Sequence, residues 1–442
     1  MTDITQLQPA GIWQAFHALT QVPRPSGHLE KVTAFLLNWA KQHQLEHFVD
    51  NAGNVIIRKP ATPGMENRKV VTMQAHMDMV PQKTIESTHN FETDPIETWV
   101  DGEWLKAKNT TLGADDGIGV ATAMAILTDP NIKHGPLEAF ITVDEETTMY
   151  GVSHLKEGVL TGDILLNFDN EQEGEMIVGS AGGINVTAAR TYTTEAPNTA
   201  HTAVNVTLRD LLGGHSGLQI NEGRANANKL LARFVRQAID HCKARLASWH
   251  GGNMRNAIPR ESAVTLVLPA EHLEALHTLA TEWKAIYQAE VGNVEKKLDL
   301  IVEPVALPPS QLTHDAQEAI VNMAVAVHNG VLRFIPEFPE IVETSSNLAI
   351  ISVAEGKAEF FFLLRSSRDS QLDNLIATIK STAALAGMTI ETSHHYPAWQ
   401  PDFNSPIVKL MEEVYLEMFG KPNEVKVVHA GLECGLIGQV YP

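Results

Sequence analysis

Leu137-Glu138-Ala139-Phe140-Ile141-Thr142-Val143 is a mostly apolar run that passes directly into Asp144-Glu145-Glu146. Seven residues of this kind are too short for a helix and suit a buried strand, and the acidic triplet marks the strand's end. The same grammar recurs on either side. Lys69 to Ala75 is a β-rich run ending at His76-Met77-Asp78, and Asp163 to Phe168 ends at Asp169. Between them a helix begins near Asp116, carrying Ile118, Val120, Ala121, Met124, Ala125 and Leu127 behind the pair Asp115-Asp116. Strands alternating with helices at this pitch predict an α/β fold with a largely buried sheet.

Working outward, helices are expected over Gly11 to Thr20 and around Leu29, Val32, Phe35, Leu36 and Trp39, whose spacing puts one face on a core. The turn Pro23-Arg24-Pro25-Ser26-Gly27 separates them. Asp50-Asn51-Ala52-Gly53-Asn54 reads as a tight hairpin turn before a strand at Val55 to Ile57. The character changes after Gly179-Ser180-Ala181-Gly182-Gly183. From Ile184 to His394 strands and long helices alternate, Arg224 to Leu246 being the clearest helix, and no acidic motif closes a strand. After Tyr396-Pro397-Ala398-Trp399 the acidic-motif style resumes with a helix near Pro406 to Phe419. The expected organisation is a discontinuous first domain, 1–183 with 395–442, and an inserted second domain, 184–394.

With 442 residues and 44% apolar composition, the chain can bury a large core. Its net charge of -20 argues against nucleic acid or an anionic membrane surface as the main partner. Two distant cysteines, Cys242 and Cys434, allow no disulfide framework and fit a reduced compartment. The polar start, Met1 to Pro9, is not that of a signal peptide, and no run is long enough to span a membrane, so the expected location is the cytoplasm.

The acidic clusters carry the chemistry. His76-Met77-Asp78, Asp115-Asp116, Glu145-Glu146 and Asp169 all fall where strands end or a helix opens, and open α/β sheets form their sites there. A lone His-x-Asp is more often a surface or capping pair, and a lone Glu-Glu a solvated face. Four such clusters at one edge would repel one another unless cations neutralised them. One histidine among several carboxylates suits zinc or a similar first-row ion better than calcium, and the surplus of carboxylates suggests two ions. Asp78, two residues after His76, is placed to orient the imidazole.

These motifs, with Thr111-Leu112-Gly113-Ala114-Asp115-Asp116-Gly117 and Asn167-Phe168-Asp169, resemble the aminoacylase, carboxypeptidase and dipeptidase group of di-zinc hydrolases. Gly213-Gly214-His215-Ser216-Gly217, Arg255-Asn256-Ala257-Ile258-Pro259-Arg260, Arg365-Ser366-Ser367 and His429-Ala430-Gly431-Leu432-Glu433-Cys434-Gly435 narrow the likeness. Together they are similar to the bacterial aminoacyl-histidine dipeptidases, which cleave carnosine.

The resemblance implies a di-zinc exopeptidase-like catalytic domain, a mixed sheet flanked by helices, with an inserted α+β lid or dimerisation domain. It implies two zinc ions, with cobalt or manganese as substitutes, a dipeptide substrate and a homodimer. Asp115 would bridge the ions, His76 and Asp169 would complete one, and Glu146 would hold the other. Glu145 would be the general base, helped by Asp78. The peptide bond between Asp115 and Asp116 would be cis. His215 would stabilise the oxyanion, while Asn256, Arg365 and the Gly431 N–H would hold the substrate's terminal carboxylate. Each lid residue has a plainer reading: Gly213-Gly214-His215 as a turn, Arg365 as an edge ion pair.

Members of this group continue past Gly-Leu-Glu-Cys-Gly and add a last histidine ligand. Here no histidine follows His429 before Pro442. The expectation is a shortened form with one weakened metal site, little or no peptidase activity and an exposed apolar strip on the first domain's sheet. Two other functional readings stand beside the dipeptidase: an N-acyl amino acid deacylase on the same scaffold, and a catalytically dead binding or scaffold relative.

Overall fold

The computed structural model describes residues 3–336 and 338–442. They divide into two compact units, one of residues 1–177, 403–425 and 436–442, the other of 178–402 and 426–435.

The first unit is built on a five-stranded mixed sheet. Its strands β1 (Glu46–Val49), β2 (Val55–Lys59) and β3 (Val71–His76) combine with Leu137–Thr142 and Ile164–Asn167. The order is β1, β2, Leu137–Thr142, β3, Ile164–Asn167. β1 and β2 form an antiparallel hairpin, and β2 runs antiparallel to Leu137–Thr142. The hairpin turn is held by Asp50, whose Oδ1 accepts the N–H groups of Ala52 and Asn54 at 2.9 Å. β3 is parallel to both of its neighbours, with His76 opposite Thr142. Three strands therefore end in the same direction at one edge.

Alternate residues of the buried strands serve two cores. Val55, Ile57, Ala139 and Ile141 pack with helices α1 (Ala10–Thr20), α2 (Glu30–Gln42) and α3 (Ala114–Thr128). Ile56 and Phe140 point the other way, onto Val152, Leu155, Leu160 and Ile437. The central strands are thus covered on both faces, which is why they read as nearly continuous apolar runs. The edge strand Ile164–Asn167 is half-buried along its length, and on the helix Pro406–Phe419 Leu410, Leu416, Met418 and Phe419 are all more than half exposed. Glu138 is the polar exception inside the deciding strand. It is fully buried, and Arg58 Nε at 2.8 Å, Thr72 and Thr161 satisfy it.

The second unit contains a nine-stranded antiparallel sheet. Gly182–Thr191, Phe338–Ala354 and Lys357–Ser366 form its longest strands. Helices Ala227–Cys242, Leu273–Val291, His314–Ala326 and Asp369–Leu385 share one core with it. The helix expected over Arg224 to Leu246 is shorter at both ends. Asn226 caps it by accepting the N–H of Lys229, and Lys243 turns left-handed at φ 55°. Leu246 is then drawn into the strand Arg245–Gly251, because its side chain completes the sheet's core. Cys242 and Cys434 form no disulfide. Among the described residues, no helix is long and apolar enough to cross a membrane.

Candidate metal centre

Parallel pairing brings the acidic motifs of the first unit together. β3 ends at His76, and the next amide, Met77, donates to Thr142 O at 2.9 Å. That ties the His76 loop to the loop carrying Asp144, Glu145 and Glu146. On the other side Phe168 N donates to Gln74 O at 2.9 Å, which sets Asp169 beside the same edge. Asp115 enters at the start of α3, where Asp115 and Asp116 depart from helical geometry and the peptide bond joining them is cis.

His76 is fully buried at the centre. Its Nε2 lies 2.9 Å from Asp115 Oδ1 and 3.9 Å from Asp169 Oδ2. Its Nδ1 faces Asp78 Oδ1 at 3.4 Å, an ion-pair distance that is long for a hydrogen bond. Asp78 is itself fixed by Ser26 Oγ at 2.7 Å and by the N–H groups of Glu145 and Glu146 at 3.1 and 3.3 Å. It therefore stands behind the imidazole and beneath the glutamate pair, not among the outward-facing donors.

Two trios have donor atoms within 4.8 Å of one another: His76, Asp115 and Glu146, and His76, Asp116 and Asp169. Asp116 differs from the others. It is buried, with Oδ2 accepting the His76 N–H and Oδ1 the Gly119 N–H, both at 3.2 Å. Its oxygens are occupied in bracing the backbone, so His76, Asp115, Glu146 and Asp169 form the better donor set.

The electrostatics of this set fit a cation. Burial, and then the charge of Asp115, push the Glu146 carboxyl up to about 7. Burial and the same neighbour push Asp169 up to about 6. Burial opposes charge on His76, but the hydrogen bond to Asp115, together with Asp78, Asp169 and Asp116, outweighs it and lifts the ring to about 12. A cage of carboxylates that holds a proton this firmly has the charge and donor chemistry for a divalent ion, which would let the imidazole bind as a neutral ligand.

The second unit assembles a different cluster. Gly213 and Gly214 have φ of 65° and 138°, and His215 pairs with Ala257 in a short ladder, so the plain turn reading covers only the glycines. His215 Nδ1 accepts the N–H groups of Gly217 and Leu218 at 3.2 and 3.1 Å. Burial and then Arg365 lower this ring to about 4. The neutral ring therefore carries its proton on Nε2 and is a hydrogen-bond donor there.

Arg365 is not an edge ion pair. It is 4% exposed, within the strand Lys357–Ser366, where its backbone lies between Ser345 and Gly183. Its Nη1 donates to the Tyr396 hydroxyl at 2.7 Å, and its Nε has no hydrogen-bond partner among the described residues. A buried guanidinium whose partner is a neutral phenol keeps its charge available for an anion.

His429, also buried, shares a 2.7 Å hydrogen bond between Nε2 and Ser345 Oγ, and burial followed by Arg365 lowers it to about 3. Asn256 is exposed. Asn347 Nδ2 holds the carbonyls on either side of it, those of Arg255 at 3.2 Å and Ala257 at 2.7 Å. Gly431 is half-buried in the turn after His429. Sequence reasoning missed Tyr396 and the pairing of His429 with Ser345, and no local signal marks either.

Residues 72–442 match Peptidase family M20/M25/M40. The cytosol non-specific dipeptidase of Escherichia coli (strain K12) is 41% identical over 442 residues, which span 100% of this chain and 91% of that protein. The crystal structure of aminoacylhistidine dipeptidase from Vibrio alginolyticus matches with a TM-score of 0.89 at 42% identity, covering 100% of this chain and 90% of the other. Aminopeptidase PepT from Bacillus cereus ATCC 10987 matches at 0.52 and 16% identity over 97% of this chain and 87% of its own, a likeness of fold alone. The chain belongs to peptidase family M20/M25/M40 and is a metallopeptidase of that family.

Proposed function

We propose that this enzyme hydrolyses unblocked dipeptides, with Xaa-His dipeptides such as carnosine among them. The observation that carries the reading is the convergence of His76, Asp115, Glu146 and Asp169 at one strand edge with Glu145 beside them. The names of the two relatives at 41% and 42% identity support dipeptides over N-acyl amino acids, and do not favour a catalytically dead relative. The proposed domain roles are those the resemblance implies: a catalytic domain and an inserted lid or dimerisation domain. A homodimer and a cytoplasmic location belong to the same reading, the latter supported by the word cytosol in the first relative's name.

His76 and Asp169 would hold one ion, Glu146 the other, and Asp115 both. Zinc is the proposed metal, on the ground of one imidazole among carboxylates. When bound, such ions polarise a carbonyl and make water nucleophilic near neutral pH. Asp78 fixes the orientation of His76 and, through their amides, of Glu145 and Glu146. Glu145 then takes a proton from the attacking water and delivers it to the leaving amine. His215, a hydrogen-bond donor at Nε2, would stabilise the oxyanion, as the resemblance implies. Arg365, Asn256 and the Gly431 N–H would take the terminal carboxylate, as the resemblance implies.

Kinetics on an unblocked dipeptide, its C-terminal amide and an N-acetylated amino acid test this reading. The wild type should prefer the free dipeptide. Arg365→Ala should raise KM for it by roughly 10- to 100-fold, the scale of a lost hydrogen-bonded charge, and affect the amide much less. Equal losses on dipeptide and amide would make Arg365 structural. Preference for the N-acetylated compound would replace the dipeptidase reading with the deacylase.

A further inference from the structure

An arginine between two prolines reads as part of an exposed turn, yet Arg24 is 2% exposed. Its Nη1 donates to Met77 O and Asp78 O, each at 3.1 Å, and its Nη2 donates to Gly113 O. The first two carbonyls belong to the loop that follows His76, the third to the loop that delivers Asp115. Glycines make room for the guanidinium. A Cβ on either Gly113 or Gly117 would collide with Nη2, so the glycines flanking Asp115-Asp116 admit Arg24.

The rest of the turn reaches the same loops. Ser26 Oγ donates to Asp78 Oδ2 at 2.7 Å, Ser26 N to Met79 O at 3.3 Å, and Met79 N to Arg24 O at 3.1 Å. Gly27 N donates to Asp144 Oδ1 at 2.6 Å, immediately before Glu145-Glu146. Three residues of this four-residue turn, Arg24, Ser26 and Gly27, thus hold the His76, Asp115 and Glu145-Glu146 loops together. Burial lowers Arg24 to about 10, with Asp78, Asp116, Asp115 and Glu146 opposing the shift, so it remains charged at neutral pH.

We propose that the turn Arg24–Gly27 is a clasp that sets three ligand-bearing loops in register for metal, with Arg24 as its positioning residue. The inference rests on the metal centre proposed above. Arg24 touches no proposed ligand side chain by hydrogen bond. It acts through main-chain carbonyls and so controls where the ligand loops sit. Partners of this outer kind are typically worth 10- to 100-fold in metal affinity. The plainer role is that of a brace that only fills the core between β3 and α3.

The test is Co2+ affinity by chelator competition, with the Co2+ absorption spectrum at saturation, on purified wild type, Arg24→Met and Arg24→Lys. Thermal unfolding serves as the control for folding. Arg24→Met should bind Co2+ 10- to 100-fold more weakly, with an altered spectrum, because the loops lose their common anchor. Arg24→Lys should fall between, since an ammonium keeps the charge but cannot span three carbonyls as a planar fork does. If Arg24→Met does not fold, Arg24→Lys decides by the same criterion. Folded variants with wild-type affinity and spectrum would overturn the clasp and leave only the brace. A wild type that takes up no Co2+ would instead overturn the metal centre itself, so the two failures are distinguishable.

Discussion

Glu145→Gln should cut turnover by about 10^2- to 10^4-fold, the usual worth of a general acid or base, while its metal content stays that of the wild type. Glu146→Gln, one residue away, should lose metal as well as activity. The difference follows from where each carboxylate sits. Both backbone amides rest on Asp78, so the pair is presented as a unit. Only Glu146 has a carboxylate oxygen grouped with donor atoms of His76 and Asp115. Removing its charge would remove the proposed ligand, whereas the amide in Glu145→Gln would leave the donor set intact and abolish only the proposed proton shuttle. Elemental analysis alongside steady-state kinetics separates the two. Equal metal content in both variants would mean the roles within Glu145-Glu146 are assigned wrongly.

Asp115→Ala should be more severe still, taking both ions together and reducing hydrolysis to background. Asp115 contacts His76 Nε2 at 2.9 Å and is hydrogen-bonded with Asp169 on one side, and its charge raises Glu146 on the other. It neighbours each of the other three, as a ligand shared between two ions would. Its side chain is about half exposed, so its removal should disturb folding little. The comparison with Glu146→Gln is the informative one: loss of one ion there, of both here. An Asp115→Ala protein that kept one tightly bound ion would show that Asp115 serves a single ion.

Much of this centre is legible in the sequence because parallel strands bring their ends to one edge. Once Leu137 to Val143 and the run ending at His76 are read as strands, His76, Glu146 and Asp169 must lie near one another. The Asp115–Asp116 bond is cis, as the resemblance implied. What could not be read depends on contacts between distant segments. Arg24 lies between prolines, and its burial comes from carbonyls some 53 to 89 positions away. Glu138 looks like the solvent-facing residue of a strand, but Arg58, Thr72 and Thr161 enclose it. Arg365 ends an apolar run as an edge residue might, whereas strands pair with it on both sides and Tyr396 meets its tip. The helix after Arg224 overran its true end because the pull of the sheet on Leu246 is tertiary and leaves no local stop signal.

Hydrolysis should depend on metal held by His76, Asp115, Glu146 and Asp169. The most direct measurement starts from metal-stripped protein, adds Zn2+ stepwise, and follows bound metal and dipeptide hydrolysis on the same samples. Bound metal and hydrolysis should rise together if His76, Asp115, Glu146 and Asp169 hold the ions that activate water. The stripped protein should hydrolyse nothing, and hydrolysis should return as Zn2+ binds. Turnover by the metal-free chain, or a chain that takes up no Zn2+, would contradict this dependence on metal.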